Sequence, residues 1–288
     1  MTETTAIGSE VELAAEQLTV GYGARAVLSA LDLQIRGGAI TAIIGPNGCG
    51  KSTLLRTLGR LLKPSDGTVL LRGDAITSLR IRDIAQRMAL LPQGPMAPEG
   101  MTVQELVARG RHPHQSFFRQ WSAEDADKVR AALELTGLTD LADRDVATLS
   151  GGQRQRAWIA MTLAQDTDLL LLDEPTTYLD ISHSVEVLDL VERLHADLGR
   201  TVVMVIHDLN LAARYADELV VMHDGQVAAQ GPPDEVITEQ LLADVFDLEA
   251  RLIVDPVAGS PLVIPVGQRY AQGSDRAGTG RNQAQKLG

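Results

Sequence analysis

The stretch Gly45-Pro46-Asn47-Gly48-Cys49-Gly50-Lys51-Ser52 decides the fold class, because it fits the spacing G-x-x-x-x-G-K-[ST]. Glycines at these positions allow backbone conformations that a side chain would obstruct, so successive N–H groups can point at phosphate oxygens. We expect Lys51 to reach the β- and γ-phosphates of a nucleotide and the Ser52 hydroxyl to ligate Mg²⁺. The motif predicts a nucleoside triphosphate site built from this loop, continuing through Thr53.

Apolar runs on either side of this loop predict an α/β fold. A strand is predicted over Ile40–Ile44 and a helix over Lys51–Leu62. Further buried strands are predicted at Leu169–Leu172, Thr201–Ile206 and Leu219–Met222. Short apolar runs that alternate with helical patterns are typical of a parallel sheet covered by helices. The earlier segments Val11–Val20 and Ala26–Ile35 favour an antiparallel pair, with a turn at Gly21-Tyr22-Gly23.

Two parts of the chain differ from this pattern. Residues from about 94 to 164 have helical patterns, at Val103–Arg109 and Ala123–Thr136, joined by loops that contain glycine or proline. We therefore expect a helical subdomain inserted into a core of about residues 11–93 and 165–267, within one domain of residues 1–267. Residues 268–288 are rich in Gly, Gln, Arg and Ser, and we expect a disordered tail.

Composition narrows the possible partners and compartment. The formal net charge of −12 disfavours a nucleic-acid partner, which would require a basic face. Cys49 is the single cysteine, which favours a reducing compartment. The acidic N-terminus lacks the features of a signal peptide, and no apolar run approaches the roughly 18 residues of a membrane span. We expect a cytoplasmic protein that depends on other subunits for any membrane crossing.

Two acids and a histidine follow predicted buried strands. Asp173 and Glu174 come directly after Leu169–Leu172, and His207 follows Thr201–Ile206. An acid that leaves a strand beside a phosphate loop is suited to hold Mg²⁺, and a second acid can polarise an attacking water. An Asp-Glu pair alone is more typical of a solvated turn, and the phosphate loop reverses that preference. Taken alone, His207 favours a structural role.

The segment Leu149-Ser150-Gly151-Gly152-Gln153 opens a predicted helix over Gln153–Ala164. Two glycines before a helix form a second anion-binding helix N-terminus. One nucleotide does not need two such helix ends from one chain, unless another molecule supplies the second. The segment therefore suggests head-to-tail use of two sites by two chains.

These motifs together resemble the nucleotide-binding domains of ABC transporters, over roughly Val11 to Gly267. The resemblance is carried, in chain order, by Gly45–Thr53, Gln93, Leu149–Gln153, Leu169–Glu174, Asp180 and His207. It implies an ABC-type P-loop NTPase, with a RecA-like core, an antiparallel β-subdomain and an inserted helical subdomain. It also implies ATP and Mg²⁺ as the bound nucleotide and ion.

The resemblance implies roles for four residues near the nucleotide. Tyr22 would stack on adenine, and Gln93 would sense Mg²⁺ and the γ-phosphate while it links the core to the helical subdomain. Glu174 would be the general base of ATP hydrolysis. His207 would be a switch residue that contacts the γ-phosphate, which replaces the structural role as the expected one.

The resemblance also implies a homodimer with two equivalent hydrolysing sites. Ser150, Gly151 and Gly152, in the signature that ends at Gln153, would bind the γ-phosphate held by the opposite subunit. Asp180 would cross the dimer interface.

The kind of ABC protein follows from weaker evidence. A chain with a single phosphate loop and no membrane span is similar to the ATPase subunit of a bacterial importer. The resemblance implies a location at the cytoplasmic face of the membrane, permease subunits as partners and, indirectly, a substrate-binding protein. Three segments resemble the iron–siderophore importers of the ferric-enterobactin type: Gly110–His114, Asp173–His183 and Asp255–Leu262. Residues from about Met101 to His114 would receive the permease, and Arg111, His112 and His114 are expected in a solvated loop rather than at a metal.

Three alternatives stay open for the function. Vitamin B12 and haem importers share much of the resemblance in these three segments. An ABC ATPase that works without a permease, in regulation or cluster assembly, is the alternative from a different class. A P-loop kinase or GTPase would have no use for Ser150–Gln153.

Overall fold

The computed structural model describes residues 11–23, 25–115 and 121–267, so the tail predicted at 268–288 lies outside the described residues. The strands are β1 (Val11–Tyr22), β2 (Arg25–Arg36), β3 (Ile40–Ile44), β4 (Asp66–Leu71), β5 (Asp74–Ala75), β6 (Met88–Leu91), β7 (Leu169–Asp173), β8 (Thr201–Val205), β9 (Glu218–His223), β10 (Gln226–Gly231), β11 (Ala250–Val254) and β12 (Pro261–Pro265). The α-helices are α1 (Lys51–Leu58), α2 (Ile81–Ala85), α3 (Val103–Ala108), α4 (Ala123–Leu135), α5 (Gly151–Ala164), α6 (Ile181–Leu198), α7 (Leu209–Tyr215), α8 (Pro233–Val236) and α9 (Glu239–Phe246).

A six-stranded sheet forms the centre of the protein, in the order β10-β9-β3-β8-β7-β6. All neighbours pair in parallel except the hairpin β9–β10. Strands β3, β7 and β8 are buried along their whole length, which explains why their sequences are continuous apolar runs. The carboxyl ends of the parallel strands lie at one edge, where Gly45, Glu174 and His207 follow β3, β7 and β8.

Successive residues of the central strands face two different cores. Leu170 and Leu172 of β7 belong to a core shared with α5 and α6, whereas Leu169 and Leu171 face a second core. The second core is covered by an antiparallel sheet in the order β2-β1-β4-β5, as the sequence predicts for β1 and β2. Helix α1 lies between the two sheets through its buried leucines, such as Leu54. The helix after the phosphate loop is thus fixed on both sides.

Helices dominate the segment between β6 and β7. Helices α3 and α4 begin at capping boxes formed by Thr102 with Glu105 and by Ser122 with Asp125. They pack on α5 through apolar side chains such as Val107. Among the described residues of this segment, strand-like pairing is limited to one isolated bridge.

Helix α1 is shorter than predicted, because it ends at Leu58 rather than Leu62. Arg60 has a φ of 57°, in the left-handed region, so it cannot continue the helix. Its guanidinium donates a hydrogen bond of 2.7 Å to the carbonyl of Leu79. The residue at which α1 can no longer continue thus contacts a loop 19 residues further along the chain.

The C-terminal hairpin of β11 and β12 is attached to the core by Asn210 of α7. The Asn210 side chain accepts a 2.7 Å hydrogen bond from the backbone N–H of Val263 and donates one of 3.2 Å to its carbonyl. The segment Asp255–Leu262 forms the turn of this hairpin and the start of β12. No helix within the described ranges is both long and apolar enough to cross a membrane.

Candidate active site

The glycine-rich loop turns tightly between β3 and α1. Gly45 has a φ of 149°, and a Cβ there would lie 2.3 Å from the Met222 carbonyl oxygen. Gly50 precedes α1 with a φ of 108°, a conformation that side chains disfavour. Both positions therefore require glycine for the path of the backbone.

Lys51 is held across this loop. Its Nζ donates hydrogen bonds of 2.8 and 2.9 Å to the carbonyls of Gly45 and Pro46, and the residue is only 5% exposed. Cys49 is also buried, and that burial raises the pKa of its thiol although the charge of Lys51 acts in the opposite direction. The loop thus carries a fixed cation and a neutral thiol.

A cleft of about 720 Å³ opens over the loop, within the usual range for a small-molecule site. Its lining includes most of the residues predicted to bind nucleotide, together with Glu174 and His207; the predicted members are Tyr22, Asn47, Gly48, Gly50, Lys51, Ser52 and Thr53. The predicted loop residues Gly45, Pro46 and Cys49 do not line the cleft, and neither does Gln93. They lie behind it or beside it, in contact with residues that do.

Five further residues that the motifs do not indicate line the cleft: Arg25, Ala26, Val27, Asp224 and Gly225. Asp224 and Gly225 form the tip of the β9–β10 hairpin, and both have positive φ. The Gly225 N–H donates a 3.1 Å hydrogen bond to the carbonyl of Cys49. An Asp-Gly pair is a recognisable hairpin signal, but nothing in the sequence brings that tip to the phosphate loop.

Asp173 provides a buried carboxylate beside the loop. The residue is 1% exposed, and neither carboxylate oxygen has a hydrogen-bond partner among the described residues. The pKa of Asp173 is raised because burial disfavours its charge, while the Ser52 hydroxyl and the Arg56 guanidinium, 3.5 Å away, act in the opposite direction. A buried carboxylate with free oxygens beside a serine hydroxyl fits the oxygen ligands that Mg²⁺ prefers.

Glu174 is the centre of a hydrogen-bonded group that joins three strand ends. Its Oε2 accepts a 2.6 Å hydrogen bond from Gln93 Nε2 and one of 2.7 Å from the Thr177 hydroxyl. Its Oε1 lies 2.7 Å from His207 Nε2. The structure thus brings together the predicted residues Gln93, Glu174 and His207, and adds Thr177.

This group controls the ionisation of Glu174. Its side chain is 9% exposed, and burial acts to raise the pKa of the carboxyl. The hydrogen bonds from Thr177, His207 and Gln93 outweigh burial, so the pKa of Glu174 is lowered. The carboxylate is therefore charged at neutral pH, as a proton acceptor must be.

The signature residues lie away from this cleft. Ser150 is the N-cap of α5 and forms a capping box with Gln153, so Gly151 and Gly152 are already helical, although the helix was predicted to start at Gln153. A Cβ on Gly152 would lie 2.4 Å from the ring of His183. None of the four residues Ser150 to Gln153 lines the cleft.

Asp180 is the N-cap of α6, where its carboxylate accepts from the His183 backbone at 2.9 Å and lies 2.7 Å from His183 Nδ1. These interactions lower the pKa of Asp180. His183 therefore links Asp180 to the signature glycine Gly152.

The expectation of a solvated loop at Arg111, His112 and His114 is wrong for two of the three. Arg111 is buried, with Nε 2.8 Å from Asp125 Oδ1 and a hydrogen bond to the Ala164 carbonyl. His114 Nε2 lies 2.7 Å from the Gln165 carbonyl. These side chains lie inside the protein because they bind the Asp125 carboxylate of α4 and backbone carbonyls at the C-terminal end of α5.

Comparison with known proteins follows this geometry. The ABC transporter family matches residues 28–177. The petrobactin import ATP-binding protein FpuD of Bacillus anthracis is 57% identical over 89% of this chain and 94% of its own length. The ferric enterobactin transport ATP-binding protein FepC of Escherichia coli is 52% identical over 90% and 96%. An inward-facing metal-chelate type ABC transporter superposes with a TM-score of 0.78 at 28% identity, over 90% of this chain and 99% of that chain. The chain therefore belongs to the ABC transporter family as one of its ATP-binding proteins.

Proposed function

We propose that this ABC ATPase drives uptake of a ferric siderophore through a separate permease, from the cytoplasmic face of the membrane. The observation that supports ATPase activity is that Lys51, Ser52, Glu174 and His207 line the same cleft. The cargo is supported by relatives of more than 50% identity whose names specify petrobactin and ferric enterobactin.

In this proposal the loop binds the phosphates of ATP. Lys51 exchanges its carbonyl partners for phosphate oxygens, and the N-terminus of α1 adds its dipole to the same site. Ser52 and Asp173 are the ligands proposed for Mg²⁺, with Gln93 nearby through its contact with Glu174. Mg²⁺ supplies neutralisation of the charge that develops on the phosphate oxygens. Tyr22, at the end of β1, is exposed and available to stack on the base.

Glu174 is the proposed general base. Its carboxylate is charged, nearly buried and within the cleft, so it can orient a water and accept its proton. His207 holds Oε1 of this carboxylate and is the proposed switch residue at the γ-phosphate. Positioning and charge stabilisation account for the catalysis, as in other phosphoryl transfers.

The working unit in this proposal is a homodimer. Ser150 and the N-terminus of α5 do not line the cleft of their own chain, which supports a role at the nucleotide of a second copy. Asp180 is exposed at the start of α6, and Tyr178 beside it is 93% exposed. Permease subunits, with a substrate-binding protein acting on them, complete the proposed importer.

An uptake experiment tests this function. We expect deletion of the gene to abolish uptake of iron-loaded siderophore while uptake of vitamin B12 and haem continues. The wild-type gene should restore uptake, whereas Glu174→Gln should not, because an amide cannot accept the proton of water. The matched control is Glu16→Gln, which makes the same change at an exposed position of β1.

Three outcomes would decide against the proposal. Unchanged uptake of all three compounds would overturn the import function. If the deletion abolished uptake of B12 alone, or of haem alone, that compound would be the cargo in place of the siderophore. Full rescue by Glu174→Gln would remove Glu174 from the role of general base.

A further inference from the structure

Thr177 lies in the turn that follows β7, three residues after Glu174. Glu174 has a φ of 55°, an uncommon conformation for a residue with a side chain. The turn is closed by a 3.2 Å hydrogen bond from the Thr177 N–H to the Glu174 carbonyl. The Thr177 hydroxyl then donates at 2.7 Å to Oε2 of the Glu174 carboxylate. Backbone and side chain of Thr177 thus both hold Glu174.

The other two partners of Glu174 come from different strands. Gln93 follows β6 and reaches Oε2, whereas His207 follows β8 and reaches Oε1. Each of them can leave Glu174 if its own strand end shifts. Thr177 shares the turn with Glu174, so the contact of its hydroxyl with the carboxylate does not depend on the position of either neighbouring strand end.

We propose that Thr177 is a positioning residue, which holds Oε2 of Glu174 so that Oε1 is the oxygen that accepts the proton once His207 has moved from it to the γ-phosphate. This inference rests on the proposed role of Glu174 as general base. The oxygen of the water forms a bond to the γ-phosphorus, and the bond from that phosphorus to the β–γ bridging oxygen breaks. One proton of the water passes to Oε1, and ADP leaves with the electron pair of the broken bond.

The experiment compares Thr177→Val, which removes the hydroxyl at similar volume, with Thr177→Ser, which retains it. ATPase rates of the purified protein are measured against MgATP concentration. For Thr177→Val we expect kcat to fall about tenfold with KM changed less than about twofold, because a hydrogen bond to a charged group is lost. Thr177→Ser should behave as wild type. Thr176→Val is the matched control in the same turn.

The outcomes separate this inference from the proposed function. If Thr177→Val keeps the wild-type kcat while Glu174→Gln is inactive, the role of Thr177 is wrong and the general base stands. If Glu174→Gln itself hydrolyses ATP at the wild-type rate, the proposed function fails first. Should Thr177→Val not fold, Thr177→Ala replaces it, and equal activity of the Ala and Ser variants would overturn the inference.

Discussion

At the scale of a single residue, Asp173 shows how a residue suited to bind a ligand can lower the stability of the fold. Its carboxylate is enclosed at the end of β7 with the Arg56 guanidinium 3.5 Å away, but it has no hydrogen-bond partner among the described residues. A buried polar group in this condition costs folding free energy. The cost is consistent with a position selected for a ligand rather than for stability.

We predict that Asp173→Asn stabilises the metal-free protein at neutral pH. Because burial raises the pKa of Asp173 in the folded state, ionisation of Asp173 lowers stability as pH rises through that pKa. Replacement by the neutral amide should raise Tm by about 2 °C at pH 7 in EDTA, and the gain should vanish at acid pH. The measurement is thermal unfolding across pH, with Asp143→Asn as an exposed control. A lower Tm at pH 7, or a gain independent of pH, would contradict it.

At the scale of elements, the segment between β6 and β7 is fixed by a buried ion pair. Arg111 and Asp125 are 3% and 5% exposed, and Asp125 also accepts from the backbone and hydroxyl of Ser122 at the start of α4. The pair therefore joins the turn after α3, the cap of α4 and the end of α5. Removal of one partner leaves the other charge buried.

We predict that Arg111→Met lowers the free energy of unfolding by about 3–5 kcal/mol. The control is Arg130→Met, which breaks the exposed pair of Arg130 with Asp127 and should cost less than about 1 kcal/mol. Urea unfolding followed by circular dichroism measures both. Equal costs for the two variants would show that burial of the first pair contributes nothing.

The sequence predicted some elements well and others poorly, for physical reasons. Strand β3 was predicted with its observed bounds, because a fully buried parallel strand is a continuous apolar run. The burial of Arg111 was missed, since it depends on contacts with Asp125 of α4 and with the Ala164 carbonyl of α5. The end of α1 at Leu58 was missed because the apolar pattern continues to Leu62 although Arg60 adopts a positive φ. At the candidate site, the motif residues lining the cleft were predicted, but Asp224 was not, because only the folded hairpin brings it there.

At the scale of the whole molecule, the absence of Ser150–Gln153 from the lining of the cleft predicts a site shared by two chains. Each site of the proposed homodimer takes its phosphate loop from one subunit and its signature from the other. A defect in either motif therefore disables both sites of a homodimer. A dimer of two differently damaged chains keeps one intact site.

We predict that Lys51→Ala and Ser150→Ala, each nearly inactive alone, recover activity when mixed under conditions that allow subunits to exchange. Half of the dimers are then mixed, and half of their sites are intact, so we expect about a quarter of the wild-type ATPase rate if the sites act independently. The control mixes Lys51→Ala with Lys51→Met, which cannot form an intact site. Absence of any recovery in proteins shown to exchange would contradict the shared site.

The pairing of β6 with β7 has a consequence for how such proteins diversify. These neighbouring strands align Leu91 with Leu172, yet a long helical excursion separates them in the chain. A segment that departs and returns through adjacent strands can be exchanged for another without rethreading the sheet. Grafting that excursion from a relative would transplant its surface together with Gln93 and the signature, whereas Lys51, Glu174 and His207 would stay in place. New assemblies can therefore arise by recombination as well as by point mutation, provided that the grafted segment carries its own Gln and signature.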